Sequence, residues 1–236
     1  MKISIIIPTL NEAATISKLL SHLINMCSAE DLIKEILIVD GGSIDGTQDI
    51  IHSFSVQQDI TIRFISSEKG RAKQMNTGAK ETTSEILYFL HADSFPPPAF
   101  DQLIVTKVKN GDAAGCFRMK FDHNHWWLKI IGWFTQFSGR ACRGGDQSQF
   151  ITKNLFEELG GFNESYIIYE DHDLINRLYA RNQFVVIQEW LITSARRYLD
   201  HGIWTLQFHF LTIYIKKWRG AGPEDLYQYY KENIAK

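Results

Sequence analysis

Three short polar clusters, each at the end of an apolar run, carry the residue types from which a ligand site can be built. Ile3-Ser4-Ile5-Ile6-Ile7-Pro8 leads into Thr9-Leu10-Asn11-Glu12, and Glu35-Ile36-Leu37-Ile38-Val39 leads into Asp40-Gly41-Gly42-Ser43. Ile86-Leu87-Tyr88-Phe89-Leu90 leads into His91-Ala92-Asp93-Ser94 and then Pro96-Pro97-Pro98. Carboxylate oxygens are the donors that hold hard divalent cations. A carboxylate at the carboxyl end of a buried strand is where open α/β sheets place ligand chemistry, so Asp93 is a candidate metal ligand. Two further stretches add charge. Gly70-Arg71-Ala72-Lys73 is a glycine-led loop whose guanidinium suits phosphate, and Tyr169-Glu170-Asp171-His172-Asp173 opens a helix with carboxylates near its positive end.

These clusters act together only if the chain brings them to one place. Apolar runs at 3–7, 35–39 and 86–90 read as strands, and the alternating stretch 60–65 reads as another. Between them, helical spacing predicts helices over 13–26, 43–54 and 70–79. The order β-α-β-α-β-α-β through residue 95 implies a parallel sheet with right-handed crossovers and helices on both faces. Parallel strands deliver all three clusters to one edge, and the prolines after Phe95 forbid further ladder pairing. Beyond them the pattern predicts a helix at 99–110, a strand at 113–121, an aromatic helix at 126–137 and a strand ending near Ile151. A short helix at 155–159 stopped by Gly160-Gly161, a helix opening at Glu170 and a strand at 184–187 complete the pattern. No repeat, low-complexity tract or linker divides the chain, so residues 1–236 are expected to form one α/β domain.

Composition sets the outer bounds. With 44% hydrophobic and 22% charged residues, the chain has the balance of a soluble globular protein. Its net charge of −2 gives no global attraction to nucleic acid. Cys27, Cys116 and Cys142 are odd in number and form no CxxC pair, which argues against a disulfide framework or zinc ribbon and fits a reducing, cytoplasmic setting. The apolar stretch after Met1-Lys2 is too short for a signal peptide, and no apolar run has the length of a spanning helix.

In their order and spacing the motifs resemble the inverting family 2 glycosyltransferases of the GT-A fold. The resemblance runs over residues 3–175. It rests on Ile6-Ile7-Pro8-Thr9-Leu10-Asn11-Glu12, Val39-Asp40-Gly41-Gly42-Ser43-Ile44-Asp45-Gly46-Thr47, the Gly70–Asn76 loop, Ala92-Asp93-Ser94 and Glu170-Asp171. The Leu90-His91-Ala92-Asp93-Ser94 form is similar to that of a bacterial branch of small, soluble members. The resemblance implies a GT-A, Rossmann-like, mainly parallel sheet, with residues 1–95 binding a UDP-, GDP- or dTDP-sugar and residues 96–236 holding the acceptor and C-terminal helices. Pro8, Thr9, Glu12, Asp40, Gly41, Arg71, Ala92, Asp93 and Asp146 would line the donor site, with Asp40 reading the base. Asp93 would hold Mn²⁺ or Mg²⁺ and offset charge on the leaving diphosphate. His91, which replaces the first aspartate of the DXD-type motif, either joins that metal or takes the missing aspartate's hydrogen-bonding role. His201 is a further metal candidate, and Arg196-Arg197 are candidates to reach the diphosphate. Asp171 would be the general base that inversion requires, with Asp173 projecting elsewhere. Asp45 is read as the cap of its helix.

Other functions fit less well. A nucleotidyltransferase shares the sheet but carries a glycine-rich loop with Lys or Arg after its first strand, where this chain has Pro8-Thr9-Leu10-Asn11-Glu12. A dinucleotide-dependent oxidoreductase needs a GxGxxG that is absent there. A catalytically silent nucleotide-binding protein would lack Asp93 or Asp171, and both are present. The aromatic stretches Trp126–Phe137 and Trp204–Trp218 leave three readings open: core packing, a peripheral contact with the inner face of a membrane aided by Lys129, Lys216, Lys217 and Arg219, or stacking on a lipid or saccharide acceptor. A homodimer also stays open.

Overall fold

The fold is described from a computed structural model that covers residues 1–28, 32–55 and 60–235. Its centre is a set of strands whose side chains alternate between two buried faces. In β1 (Ile3–Thr9), Ile3, Ile5 and Ile7 enter one core and Ile6 enters the other. In β2 (Ile33–Asp40), Ile36 and Ile38 join the first core, and Leu37 and Val39 the second. In β4 (Ile86–Phe89), Ile86 and Tyr88 separate from Leu87 and Phe89 in the same way. This period of two explains why the runs are continuously apolar, since both faces are covered. Burial of each such side chain stabilises the fold by roughly 1.5–3 kcal/mol.

β3 (Thr61–Ser66), β2, β1 and β4 are mutually parallel. The sheet continues through β7 (Gln149–Thr152), antiparallel to β4, then β6 (Ala114–Phe121), β8 (Val185–Thr193) and β5 (Ser94–Phe95), giving the order β3-β2-β1-β4-β7-β6-β8-β5. The helices are α1 (Ile16–Met26), α2 (Thr47–Ser55), α3 (Arg71–Lys80), α4 (Phe100–Lys109), α5 (Trp126–Phe134), α6 (Lys153–Glu158), α7 (Glu170–Ala180), α8 (Arg196–His201), α9 (Ile203–Trp218) and α10 (Pro223–Asn233). α1 and α4 supply Leu19, Leu20, Leu23, Phe100 and Ile104 to one core, and α3, α6 and α7 supply Met75, Phe156 and Leu174 to the other. α3 lies close on the sheet because residue 78 is glycine: a Cβ there would stand 2.5 Å from Ile6 Cγ2.

At the edge where β2 begins, the buried Glu35 carboxylate is fully met, by Ser4 Oγ at 3.0 Å, Thr82 Oγ1 at 2.6 Å and Arg63 Nη1 at 2.9 Å. Burial pushes its carboxyl up, and the bonds from Thr82, Arg63 and Ser4 outweigh that and hold it below the usual range. The opposite edge, where β1, β2 and β4 end, is different. There buried carboxylates are left with surplus negative charge.

Several elements depart from the sequence expectations. α1 begins at Ile16 after a turn, not at residue 13. Ser94 and Phe95 form β5, pairing with Thr193 and Ile192 just before the prolines, so Asp93 lies in a turn between two strands. β8 continues to Thr193 past a register shift opposite Phe117/Arg118, well beyond residue 187. The aromatic helix stops at Phe134.

Candidate active site

The loops after β1 and β2 are stitched into one platform by their own polar side chains. Asp40 Oδ2 accepts from the backbone N–H groups of Gly42 at 3.0 Å and Ser43 at 2.9 Å, and the Ser43 hydroxyl donates to its other oxygen. The Asn11 N–H donates to Ser43 Oγ at 2.8 Å, and the Ile44 N–H to Asn11 Oδ1 at 3.0 Å. Asp45 receives the N–H of Ala13 at 3.0 Å and that of Thr47 at 3.1 Å, so it caps its helix entry as the sequence predicts and also ties the two loops together. From α3, the buried Gln74 amide donates to the carbonyls of Thr9 at 2.8 Å and Val39 at 2.7 Å, which fixes both strand ends. Gly41 lies against that amide, and its own N–H donates to the Thr9 carbonyl at 2.9 Å. Pro8 and Thr9 are buried at the base of this platform.

The β4–β5 turn faces the platform. Its Asp93 carboxyl is raised above the usual range, first by burial, with His91 pulling it down, Asp146 and Glu12 adding like charge, and Arg196 pulling it down. Ala92 beside it is buried. Glu12 has one oxygen on the Thr15 hydroxyl at 2.6 Å and the other 3.3 Å from the Arg196 guanidinium. Arg196-Arg197 therefore divide: Arg196 reaches Glu12 beside the platform, whereas Arg197 turns to Tyr230 Oη at 2.9 Å and lies over Phe210. His201 closes α8, half-buried.

The donor chemistry here fits a divalent cation. Asp93 offers oxygen, His91 offers an imidazole nitrogen, and the surrounding carboxylates leave a negative excess that a cation relieves. Among the described residues no three His, Cys, Asp or Glu side chains already stand at ligand spacing. Asp93 and His91 are the residues of this turn whose donor atoms suit such a cation.

A third wall comes from the start of α7. Tyr169 precedes it with φ 75°, and this left-handed turn swings Glu170 and Asp171 into the protein at the helix's positive end. Glu170, 1% exposed, takes the Arg71 guanidinium at 3.0 Å. Arg71 is thereby held charged, by Glu170 first and by Asp171 and Asp146 in addition, while about a third of its side chain stays accessible. Asp171 is pushed up to about 6, first by burial, against the pull of Arg71 and with the help of Asp146. His91 Nε2 lies 3.8 Å from Asp171 Oδ2, so the β4–β5 turn and α7 meet there. Asp173 pairs with Arg177 at 2.9 Å along the helix and takes no part. His172 is driven down to about 4 by burial, its Nε2 held between the Arg143 carbonyl at 3.2 Å and Tyr214 Oη at 2.7 Å.

Asp146 is the common neighbour. It sits exposed on the short 3-10 turn Gly145–Gln147, and its charge acts on Arg71, Asp93, Asp171, His172, Tyr198 and Tyr214. This solvated carboxylate is thus felt at the β4–β5 turn, at Arg71 of α3 and at the start of α7. Asn76, by contrast, serves structure: its amide bonds Phe162 and Glu164 on the far side of α3.

The sequence reading passed over Gln74, Gln149 and Tyr214 as site residues. Gln149 is buried, and neither its amide oxygen nor its nitrogen has a hydrogen-bond partner among the described residues. It lines a small cavity together with His91 and Asp171. Its only signal in sequence was a polar residue opening a buried strand.

Comparisons with known proteins identify the family and the fold. The model of the family described as Glycosyl transferase family 2 matches residues 4–162. The chain is 25% identical over 197 residues to a probable glycosyltransferase, YdaM, of Bacillus subtilis, a match covering 75% of this chain and 46% of the relative. It is 31% identical over 111 residues to a dolichol-phosphate mannosyltransferase of Pyrococcus furiosus, covering 47% of this chain and 31% of the relative. The chain thus spans less than half the length of these relatives. Among solved structures, the mannosyltransferase PcManGT of Pyrobaculum calidifontis, in complex with GDP-Man and Mn²⁺, superposes with a TM-score of 0.71 at 17% identity, covering 99% of this chain and 68% of that one. TarS of S. aureus in complex with UDP gives 0.69 at 19% identity, covering 82% and 60%. Both share the GT-A fold with this chain.

Proposed function

The chain belongs to Glycosyl transferase family 2, and from that premise we propose that it transfers a sugar from a nucleotide-sugar donor to an acceptor hydroxyl with inversion at the anomeric carbon. The observation that carries this reading is Asp171, a buried carboxylate pushed up to about 6 that shares one cleft with Asp93, Asp146 and Arg71. A base whose pKa lies near the working pH is deprotonated and still proton-hungry, which general-base catalysis requires.

In this reading the nucleotide lies on the platform of Pro8, Thr9, Glu12, Asp40 and Gly41, and its diphosphate runs toward Arg71, Ala92 and Asp93. Asp171 takes the proton of the acceptor hydroxyl. The acceptor oxygen attacks the anomeric carbon from the face opposite the diphosphate, the carbon–oxygen bond to phosphate breaks, and its electron pair leaves on the diphosphate. Arg71 and Arg196 are the cations at hand for that charge. Mn²⁺ or Mg²⁺ held by Asp93 with His91, or with His201 as the further candidate, would supply Lewis-acid stabilisation of the same charge. Asp146 meets the donor sugar or the acceptor at the mouth. The bound GDP-Man of PcManGT and UDP of TarS favour a GDP- or UDP-sugar, with dTDP-sugars as the third class. The acceptor is a lipid or a saccharide, residues 96–236 hold it, and Cys27, Cys116 and Cys142, none of them in a disulfide, suit the cytoplasm.

Calorimetric titration of UDP-, GDP- and dTDP-sugars with and without Mn²⁺ tests the reading. One donor class should bind, more tightly with metal, and Asp93→Asn should remove the gain from metal. Failure of all three to bind the wild-type chain in Mn²⁺ would overturn the proposal.

A further inference from the structure

α5 and α9 present apolar side chains to solvent as well as to the core. Their buried sides are narrow, with Leu128 and Gly132 on α5 and Leu206 and Ile213 on α9. Their solvent sides are wider and apolar too. Trp126, Ile130, Trp133 and Phe137 recur at i, i+4, i+7 and i+11, the last just past the end of α5, and all are exposed. On α9, Trp204, Phe208, Leu211, Ile215 and Trp218 are exposed and again lie on a single stripe, with Phe208 63% and Trp218 85% accessible, and exposed Thr205 and Tyr214 flank it. The stripes meet where the Trp126 and Trp127 rings lie 5.8 and 5.1 Å from Trp204. Exposed apolar surface that is contiguous and rich in tryptophan marks an interaction site rather than ordinary surface.

Charge selects the occupant. Neither α5 nor α9 contains an Asp or Glu, although the chain as a whole is net negative. Their charged residues are Lys129, Lys216 and Lys217; Lys216 lies over the Tyr229 ring and Lys217 donates to Tyr166 Oη, which leaves exposed Lys129, and exposed Arg219 directly after α9, to meet an occupant. A second copy seated on this face would set these cations against their own equivalents with no carboxylate on either helix to meet them. An anionic lipid surface meets both demands, since headgroup phosphates take the cations and the acyl boundary takes the indole and phenyl rings. Length fixes the orientation. The 16 residues of α9 extend about 24 Å, short of the roughly 30 Å hydrocarbon core, and no helix of the described residues is long and apolar enough to cross a membrane. We propose that α5 and α9 form a docking face that lies flat on an anionic membrane surface, with their aromatic stripes at the acyl boundary. α9 also carries Tyr214 to His172, next to Asp171, so this face adjoins one wall of the cleft. The inference rests on the surface alone and does not require the sugar-transfer reading.

Co-sedimentation of the full chain with phosphatidylglycerol–phosphatidylcholine vesicles and with pure phosphatidylcholine vesicles, read alongside tryptophan emission, is the test. The wild type should bind the anionic vesicles about ten-fold or more tightly than the neutral ones, with a blue shift. Phe208→Ser with Leu211→Ser and Trp218→Ser should lose about ten-fold or more of that binding, because large apolar groups leave the interface. These side chains are solvent-facing, so the variant should keep the wild-type unfolding midpoint. Lys129→Gln with Arg219→Gln should weaken binding to anionic vesicles only. The proposal is overturned if the wild type binds neither vesicle, or if the serine variant binds as the wild type does. It is equally overturned if light scattering finds a wild-type dimer that the serine variant splits, which would assign the face to a second copy.

Discussion

Replacing Asp171 by Asn should make the protein more stable, by an amount the structure sets. The Asp171 carboxyl moves from 3.8 to about 6 on folding, because burial outweighs the Arg71 guanidinium and Asp146 adds like charge. A shift of that size corresponds to about 3 kcal/mol of folding free energy lost to holding the ionised form inside. The sign follows from the proton balance. Between pH 4 and 6 the folded chain binds the proton that the unfolded chain has released, so the contribution to stability falls as pH rises through that window and stays low above it. Asparagine keeps the shape of the protonated acid and cannot ionise. Urea unfolding at pH 8 should therefore find Asp171→Asn more stable than wild type by about 3 kcal/mol, and at pH 4 the gap should close to within about 1 kcal/mol. A variant no more stable than wild type at pH 8, or a gap that does not change with pH, would refute the reasoning. Destabilising charge kept at one place is the expected cost of an active site.

The rate of sugar release or transfer should fall on the acid side, halving near the pKa of about 6 and dropping roughly ten-fold by pH 5. Asp146→Asn should move that limb to lower pH, since Asp146 raises the Asp171 carboxyl; an unmoved pH–rate profile would argue against their coupling. Arg71→Gln should destabilise by about 3–5 kcal/mol in urea unfolding, because it leaves Glu170 buried without its cation, and a second change, Glu170→Gln, should restore most of the loss. Gly78→Ala should cost about 1–3 kcal/mol in the same assay, as its Cβ would meet Ile6 Cγ2 at 2.5 Å.

The sheet half that carries the loop platform was legible because its strands are buried on both faces and therefore continuously apolar. β5 was not, since two residues carry no periodicity, and the far half of β8 was hidden by Gln188 and Glu189 at the register shift. Among candidate site residues, the carboxylates Glu12, Asp40, Asp93 and Asp171 stood out by standing where apolar runs end or a helix begins. Gln74 did not, because a glutamine on a helix reads as solvent-facing until the carbonyls of Thr9 and Val39 are seen beneath it. The Tyr214–His172 bond joins residues 42 positions apart, and no local pattern reports such a contact. Arg196 and Arg197 are chemically alike and adjacent, and only the packing of α8 shows that one faces the cleft and the other the C-terminal helices.

The central claim is that Asp171 activates an incoming hydroxyl opposite a departing nucleotide diphosphate. Proton NMR of the anomeric signals during early turnover of the donor that binds, with water as acceptor, tests it most directly. The sugar should appear first as the inverted anomer, and Asp171→Asn should bind the donor with wild-type affinity yet release sugar about 10²-fold or more slowly. Retention of configuration, or wild-type release by Asp171→Asn, would contradict the account.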